Sequence, residues 1–319
     1  MSLIASIQTL GEIEVIMLIY RRTSILESSA QTLVNTVNCV GVMGKGLAKA
    51  FKDRDAQMYS AYKRICDEGL LKPGKLWLWR GQPNWVLNFP TKLHWRNPSK
   101  IEWIEEGLEK FVAGHAELGI REISFPRLGC GNGGLNWDDV RPVMEHHLSP
   151  LKITVFIHDY DKSIGLPEHL ERVPTILESE FGPDIQFANL LPVLKRALEL
   201  AGDELINFET HERINASIQQ DCLKVVEGAT EWVFDTEDIW GIWVTLQKGF
   251  LTKDKAGWVA LESGSHLISI LSLLPSVRLV EIQKYRSKDS ELALERRDIQ
   301  NSSPQILVGQ NEQTALQWR

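Results

Sequence analysis

The segment VNTVNCVGVMGKGLA, residues 34–48, places two asparagines, a cysteine and three glycines between an apolar, β-rich run and a helical pattern. Glycine lets backbone N–H groups come close to a ligand because it has no β-carbon. A second glycine-rich segment, LGCGNGGL at 128–135, follows another β-rich run. In an open α/β sheet, strand-to-helix junctions line a crevice at the carboxyl ends of the strands. The two segments therefore predict one ligand crevice with two glycine-rich walls.

The rest of the first half alternates β-rich runs with helical patterns, which predicts a layered α/β fold. The runs are MLIY (17–20), TLVN (32–35), KLWLW (75–79), WVLNF (85–89), EISFP (122–126) and KITVFI (152–157). One helix is predicted over 45–66 and a second over 99–118, since apolar residues recur on one face of each. A third is predicted after Asn136, whose side chain can cap it.

Composition limits the classes of protein. The 319 residues, 43% of them apolar, predict two domains. Residues 1–164 carry 20 basic and 18 acidic side chains, against 15 and 24 in residues 165–319, so the second half is disfavoured as a nucleic-acid binder. Four widely spaced cysteines without a C-x-x-C pair indicate reduced thiols in a cytoplasmic protein. Glu12 and Glu14 interrupt the apolar N-terminus, which argues against a signal peptide or a membrane span.

Motif spacing argues against several chemistries. Neither glycine-rich segment fits the phosphate loop of nucleotide triphosphatases or the G-x-G-x-x-G of nicotinamide dehydrogenases. No set of histidines and cysteines has zinc spacing, so we expect no metal ligands and no cofactor. Cys39 and Cys130 lie in the two segments without a neighbouring histidine, which favours small loop residues over nucleophiles.

Three motifs together resemble a known family. They are TLVNTVNCVGVMGKGLAKAFK (32–52), NFPTKLHWR (88–96) and SFPRLGCGNGGLNWDDVRP (124–142). In this order and spacing they resemble the macrodomain family of ADP-ribose binders and, within it, the DarG-type DNA ADP-ribosyl glycohydrolase antitoxins. The resemblance covers about residues 17–160. It implies a three-layer α/β/α fold with a mixed central sheet.

The resemblance also implies a set of ligand contacts. The segment 35–46 is expected to curve around the distal ribose, and the segment 129–133 is expected to cover the pyrophosphate and the same ribose. Amide side chains suit a ribose because each offers a donor and an acceptor without charge. The implied ligand-binding residues are Ile25, Asn35, Asn38, Cys39, Val40, Gly41, Gly44, Gly46, Thr91, Gly129, Cys130, Gly131, Asn132, Gly133 and Tyr160. An alternative interpretation makes Asn35 a strand-end residue that satisfies the local backbone.

Lys92, in NFPTKLHWR, follows a β-rich run and a proline. In the DarG-type enzymes the matching lysine is catalytic, so the resemblance implies that role for Lys92. An amine attacks carbon only where desolvation or neighbouring cations lower its pKa from about 10.4. The alternatives are an acid that assists the leaving group, a partner for phosphate, or a solvated lysine in a basic loop, and the sequence does not choose among them.

Two further features bear on the ligand. His94, Trp95 and Arg96 combine aromatic and basic groups, which suits a DNA-facing rim, although Trp95 could also anchor the core. Many macrodomains have a Gly-Asp pair after the first strand that reads adenine, whereas this chain has Thr23 and Ser24. Adenine recognition is therefore expected to rest on the backbone N–H of Ile25 and on stacking by Tyr160, which could instead cap the core.

The second half shows elements but no motif. We predict an N-terminal extension (1–16), the macrodomain (17–164), a smaller acidic α+β domain (165–300) and a polar tail (301–319). Helices are predicted over 185–202, 211–229 and 265–274, and strands or mixed segments over 231–235, 239–247, 257–262 and 277–286. Acidic clusters lie at 178–184, 203–204 and 235–238. They indicate either a solvated surface or, by the resemblance, a surface that binds and inhibits a DNA ADP-ribosyltransferase toxin.

Two classes of function remain from the sequence. The first is an enzyme that removes ADP-ribose from DNA bases and also sequesters the transferase that attaches it. The second is a macrodomain that only binds ADP-ribose, or that hydrolyses ADP-ribose-1″-phosphate. Lys92 separates them, because a binding module does not need an amine in its crevice.

Overall fold

A computed structural model describes residues 16–159, 164–256, 263–284 and 289–297. Its strands are β1 (Ile16–Arg21), β2 (Thr32–Asn38), β3 (Trp77–Trp79), β4 (Trp85–Lys92), β5 (Glu122–Pro126), β6 (Thr154–His158), β7 (Asn215–Gln219), β8 (Cys222–Glu227), β9 (Thr230–Phe234), β10 (Phe250–Thr252), β11 (Val277–Lys284) and β12 (Ser290–Arg296). Its helices are α1 (Gly46–Arg54), α2 (Ala56–Asp67), α3 (Ile101–Gly114), α4 (Trp137–Leu148), α5 (Arg172–Phe181), α6 (Phe187–Ala201), α7 (Thr236–Gln247), α8 (Lys253–Ala256) and α9 (Gly264–Leu271). The predicted extension, apart from Ile16, and the predicted tail lie outside the described residues.

A nine-stranded mixed sheet organises the molecule, in the order β10-β12-β11-β1-β6-β5-β2-β4-β3. Its five central strands, from β1 to β4 in that order, run parallel. The strands on either side pair antiparallel. The parallel strands therefore bring their carboxyl ends to one edge, as the two glycine-rich segments predict.

Helices cover both faces of this sheet, which confirms the predicted three-layer α/β/α architecture. Alternate residues of β1 face opposite ways: Leu18 and Tyr20 join the core under α3 and α4, and Ile19 joins the core under α1 and α2. Gly107 of α3 lies so close to the ring of Phe89 that an added β-carbon would be 2.2 Å from it. This approach fixes α3 directly against β4, the strand that ends at Lys92.

The single helix predicted over 45–66 is wrong, because Asp55 divides it into α1 and α2. Asp55 is extended, with φ −142° and ψ 93°. Its carboxylate accepts hydrogen bonds from Met58 N and from Trp79 Nε1, both at 2.8 Å. An aspartate that satisfies the free N–H groups of a new helix start is a strong N-cap, so the chain restarts there.

The second predicted helix is shorter than expected, but its inward residues Ile104, Leu108 and Phe111 are buried as predicted. The third, α4, begins after Asn136, whose side chain accepts from Asp138 N at 3.2 Å. Both helices therefore confirm the use of apolar spacing and capping residues.

The second half contributes strands to the same sheet. β11 pairs antiparallel with β1, and β12 and β10 continue the sheet outward. A separate three-stranded sheet, β7-β8-β9, packs with α6, α7 and α9 around a second apolar core. The domain boundary predicted near residue 165 remains a prediction, and the continuous sheet means that the two halves share backbone hydrogen bonds.

Two predicted elements of the second half are wrong. The helix predicted over 211–229 is the hairpin of β7 and β8, which turns at Gln220 and Asp221 with φ of 49° and 64°. The strand or mixed segment predicted over 239–247 belongs to helix α7, which begins with a capping box formed by Asp235 and Asp238. The predicted strand at 257–262 lies outside the described residues. Among the described helices, none has the length and apolar character needed to cross a bilayer.

Candidate functional site

The site forms where β2 and β4 end side by side. Asn38, the last residue of β2, is the ladder partner of Lys92, the last residue of β4. The backbone N–H of Cys39 then donates to the carbonyl of Leu93 at 3.1 Å, so the chain segments leave the sheet together. The neighbouring strand β5 ends at Pro126 and leads into the second glycine-rich segment. Lys92 and both segments consequently meet at one edge.

The first loop, residues 39–45, is held by the side chain of Asn38. Its Oδ1 accepts from the N–H groups of Val40 (3.1 Å) and Val42 (3.3 Å), and its Nδ2 donates to the carbonyl of Val42 at 2.6 Å. From below, Tyr62 donates its hydroxyl to the Asn38 carbonyl at 2.7 Å. Gly41 has φ of 75°, a conformation that side chains rarely adopt. The amide of Asn38 therefore folds the loop in this structure.

The second loop, residues 128–135, is held mainly by its own backbone. Leu135 N donates to Gly129 O at 3.1 Å, and the carbonyl of Gly133 accepts from Ser99 N at 2.9 Å. A β-carbon on Gly133 would lie 2.1 Å from Gly129 O and 2.4 Å from Ser99 Oγ. Gly131 has no such neighbour within 4 Å. The loop therefore has no room for a β-carbon at Gly133, whereas the β-carbon position of Gly131 is unobstructed.

Lys92 and Asn132 join the two loops. The Nζ of Lys92 donates to the carbonyl of Asn132 in the second loop. A β-carbon on Gly46, at the end of the first loop, would lie 2.8 Å from Nδ2 of Asn132. Burial lowers the pKa of the Lys92 amine, because a partly desolvated ammonium is less stable than one in water. The amine is therefore shifted toward its neutral form at the point where both loops meet.

Two of the expected contacts have little access to the crevice. Asn35 is fully buried, and its Nδ2 donates to Oδ1 of Asn88 at 3.0 Å. The side chain therefore lies within the sheet layer, close to the alternative interpretation of a residue that serves the strand. Thr91 is also buried, with 4% of its surface exposed. Of the other expected residues, Asn38 pairs with Lys92 in the sheet and the carbonyl of Asn132 accepts from its Nζ.

The loop cysteines are protonated at neutral pH. Burial raises the pKa of Cys39 to about 12 and that of Cys130 to about 11. A thiolate is the nucleophilic form of cysteine, so neither residue supplies one near pH 7. This agrees with their interpretation as small loop residues.

An apolar and basic rim surrounds the entrance beside Lys92. Trp95 is 46% exposed and Leu93 is 47% exposed, which is unusual for side chains of this kind. His94 stacks on Trp95, with ring centroids 5.5 Å apart and an interplanar angle of 28°. The guanidinium of Arg96 lies 4.6 Å from the Trp95 ring centroid. The exposed indole therefore projects into solvent instead of anchoring the core.

The first strand ends at the other side of the site. Ser24 caps a short 3-10 helix over Ile25–Glu27, and Ile25 is buried with 4% exposure. Thr23 lies beside His158, with 3.1 Å between its Oγ1 and the ring Nδ1. Burial lowers the pKa of His158 to about 4, so this histidine is neutral at physiological pH. Tyr160, the predicted stacking residue, lies outside the described residues.

Arg127 and Asp159 are two charged residues at this edge of the sheet that the sequence interpretation did not name. They follow β5 and β6 at the same edge and form an ion pair in which the aspartate is fully buried. The only local signal was their position directly after two β-rich runs. Within the described residues, no group of three or more histidine, cysteine, aspartate or glutamate side chains is arranged to hold a metal ion.

Comparison with known proteins places this geometry in a family. Residues 34–144 match the family model of the Macro domain. A DNA ADP-ribosyl glycohydrolase of Thermus aquaticus is 43% identical over 148 residues, which cover 45% of this chain and 41% of the relative. A DNA ADP-ribosyl transferase-DNA ADP-ribosyl glycohydrolase fusion protein of Thermosipho africanus is 38% identical over 150 residues, covering 41% of this chain and 39% of the relative.

A solved structure, the macrodomain of Thermus aquaticus DarG, is 43% identical, covers 45% of this chain and 98% of that chain, and superposes with a TM-score of 0.43. The chain spans about two fifths of the length of the curated relatives it matches. The matched region contains most of β2, all of β4 and β5, both loops and Lys92. Through this region the chain belongs to the macrodomain family.

Proposed function

We propose that the crevice binds ADP-ribose attached to a base of DNA and that the protein hydrolyses the bond between the two. The observation that carries the proposal is the position of Lys92, whose amine lies where both loops meet and is shifted toward its neutral form. The 43% identity to a protein named DNA ADP-ribosyl glycohydrolase supports the same substrate. In this proposal backbone N–H groups of the two loops bind the diphosphate and the distal ribose, while the buried Asn35 and the loop-bonded amide of Asn38 support the crevice from behind.

Lys92 serves in this proposal as the nucleophile. Burial disfavours the ammonium and so raises the neutral fraction, which has the lone pair needed for attack. The amine attacks the anomeric carbon of the distal ribose, a C–N bond forms to Nζ, and the bond to the base breaks as the base leaves with its electron pair and takes up a proton. Water then attacks the same carbon, ADP-ribose departs, and Lys92 is restored.

The rim of His94, Trp95 and Arg96 would hold the DNA strand. Stacking of a base on an exposed indole tolerates any sequence, and such contacts contribute about 1–3 kcal/mol per base. The guanidinium of Arg96, already against the ring, is placed to meet a neighbouring phosphate. This rim would select a modified base over a modified protein side chain.

Release of ADP-ribose from an ADP-ribosylated single-stranded oligonucleotide tests the proposal. The variant Lys92→Ala should lose at least about 100-fold in release rate while it still binds free ADP-ribose. Lys152→Ala is the matched control, because Lys152 is exposed at the amino end of β6, on the opposite edge of the sheet. Binding without release by the native chain would identify a reader of ADP-ribose. Undiminished release by Lys92→Ala would exclude the nucleophile.

We further propose that the second half binds a DNA ADP-ribosyltransferase. The Thermosipho africanus relative, whose name joins transferase and glycohydrolase, supports a partner of this kind. Part of the acidic surface is internally neutralised, since Glu180 pairs with Arg196 at 3.0 Å and Asp184 with Arg296 at 2.8 Å. Trp240 is 50% exposed on α7, the helix that also carries Glu237, and is the aromatic contact we expect at the interface.

Co-purification with a DNA ADP-ribosyltransferase tests this second proposal. The full chain is used, because β10, β11 and β12 pair within the sheet of the first half. The catalytically silent Lys92→Ala chain should retain the complex, and Trp240→Ala should weaken it at least about tenfold. Trp95→Ala, an equally exposed tryptophan of the first half, serves as the control and should leave the complex intact. Equal binding by Trp240→Ala, or no complex with the native chain, would remove the proposal.

A further inference from the structure

A cavity of about 400 Å³ lies between the two halves of the chain. Its first-half wall includes Thr23, which follows the carboxyl end of β1, and Glu27. The opposite wall includes the first three residues of β11, which runs antiparallel to β1 and therefore begins at the same edge. The volume falls in the range of about 300–1,000 Å³ that is usual for small-molecule sites. The cavity thus opens at the edge that carries the crevice, but its lining does not include Lys92 or either loop.

Arg297 is the unusual side chain in this cavity. It follows β12, and its backbone N–H donates to the carbonyl of Ser276 at 2.8 Å, which fixes its position. Among the described residues, no carboxylate lies within 4.0 Å of its guanidinium. Two nearby arginines differ: Arg22, also in the lining, pairs with Glu171 at 2.9 Å, and Arg296, outside it, pairs with Asp184 at 2.8 Å.

The guanidinium of Arg297 is partly removed from solvent. Burial lowers the pKa of Arg297, and the more distant carboxylates of Glu178 and Glu27 offset part of that effect. A partly buried cation that has no close carboxylate among the described residues is unfavourable there unless an anion completes it. The wall also contains further polar groups beside its apolar residues: Thr175 offers a hydroxyl, and Glu27 and Glu178 offer acceptors.

The geometry points to a phosphoryl-binding site in this cavity, in which Arg297 pairs with the phosphoryl oxygens of a phosphorylated sugar or nucleotide. The planar guanidinium matches two phosphoryl oxygens at once, which a single ammonium does not. Glu27 and Glu178 favour a ligand that also carries hydroxyl or amino donors over a bare inorganic anion. The site does not involve Lys92, so its test is independent of the test of the hydrolase proposal.

Calorimetric titration with AMP and with inorganic phosphate tests the site. AMP should bind the native chain more tightly than phosphate, and Arg297→Gln should weaken AMP at least tenfold. Arg296→Gln is the matched control, because it removes the same charge one residue away on the other side of the strand, and it should bind within twofold of the native chain. Thr175→Glu supplies a second variant, since Thr175 is exposed on α5 and its replacement puts a carboxylate into the cavity without disturbing the core. It should also lose AMP.

Repeating the titration with saturating ADP-ribose identifies the source of the phosphoryl group. Retained AMP binding would assign the site to a separate molecule. Displacement of AMP whose affinity also depends on Arg297 would show that one ligand spans crevice and cavity, whereas displacement without that dependence would mean binding in the crevice alone and overturn the inference. AMP affinity that is equal in the native chain, Arg297→Gln and Thr175→Glu, or no AMP binding at all, would overturn the inference. Melting temperatures of the variants, measured alongside, confirm that each is folded.

Discussion

The two loops of the crevice reach the same edge by different means. The first is folded by side chains, since the amide of Asn38 bonds to Val40 and Val42 and the hydroxyl of Tyr62 bonds below it. The second is folded by its own backbone and by the close packing of Gly133 on Gly129. The conformation of the first loop therefore depends mainly on the side-chain amide of Asn38. The conformation of the second loop depends on the absence of a β-carbon at Gly133.

The comparison has a consequence for ligand binding. The side chains that fold the first loop are engaged within it, and Lys92 reaches across to the carbonyl of Asn132 in the second loop. Asn38 was expected to contact the ribose, yet its amide is already engaged by the loop. A ribose contact from Asn38 would therefore compete with the bonds that shape the loop, so its main contribution in this structure is to the shape.

The largest effect is expected from Gly133→Ala. The new β-carbon would lie 2.1 Å from Gly129 O, so the second loop must rebuild. We expect a loss of about 3 kcal/mol, the upper end for an overpacked site, and a melting temperature lower by roughly 6–12 °C. Gly131→Ala is the control, since nothing lies within 4 Å of its β-carbon position, and it should melt within about 1 °C of the native chain. Equal melting of the two variants would contradict the packing difference.

A smaller loss is expected from Asn38→Ala, which removes three hydrogen bonds within the first loop. At about 0.5–1.5 kcal/mol for each bond, and with water replacing part of them, the free energy of unfolding should fall by about 2 kcal/mol. Asn38→Asp keeps the acceptor for the two N–H groups but loses the donor to the carbonyl of Val42, so its loss should be intermediate. Thermal unfolding of the native chain and the two variants gives their order of stability. An aspartate variant as unstable as the alanine variant would refute the predicted order.

The smallest effect is expected from Tyr62→Phe. It removes the hydroxyl that donates to the Asn38 carbonyl at 2.7 Å and lies 3.3 Å from Asn38 Oδ1, and we expect a loss of about 1 kcal/mol in the free energy of unfolding. Tyr59→Phe on the same helix is the matched control, because the Tyr59 hydroxyl is 3.4 Å from the Gly41 carbonyl and holds it weakly. A larger loss for Tyr59→Phe would show that the loop is supported at Gly41 instead.

Local patterns predicted much of the fold of the first half. The spacing of Ile104, Leu108 and Phe111 gave the buried face of α3, and Asn136 gave the start of α4. Lys92 was expected at the crevice because it follows a β-rich run, and it ends β4 at that edge. These features depend on neighbours in sequence, where periodicity and capping chemistry act directly.

The features that were missed depend on partners far apart in the chain. Asn35 is paired with Asn88 across two strands, so its own surroundings in sequence gave no sign of its burial. The pairing of β11 with β1 joins opposite ends of the chain, and no local pattern encodes it. The hairpin mistaken for a helix at 211–229 turns at Gln220 and Asp221, two polar residues without a glycine or proline to mark the turn.

The pH dependence of ADP-ribose release under single-turnover conditions tests the central claim most directly. Because burial lowers the pKa of Lys92 and attack needs the neutral amine, the rate of the native chain should rise with pH and level off at an apparent pKa below about 10.4. This rise should be absent in Lys92→Ala and unchanged in Lys152→Ala. A rate that falls with pH, or a rise that persists in Lys92→Ala, would contradict a nucleophilic Lys92 at the meeting point of the two loops.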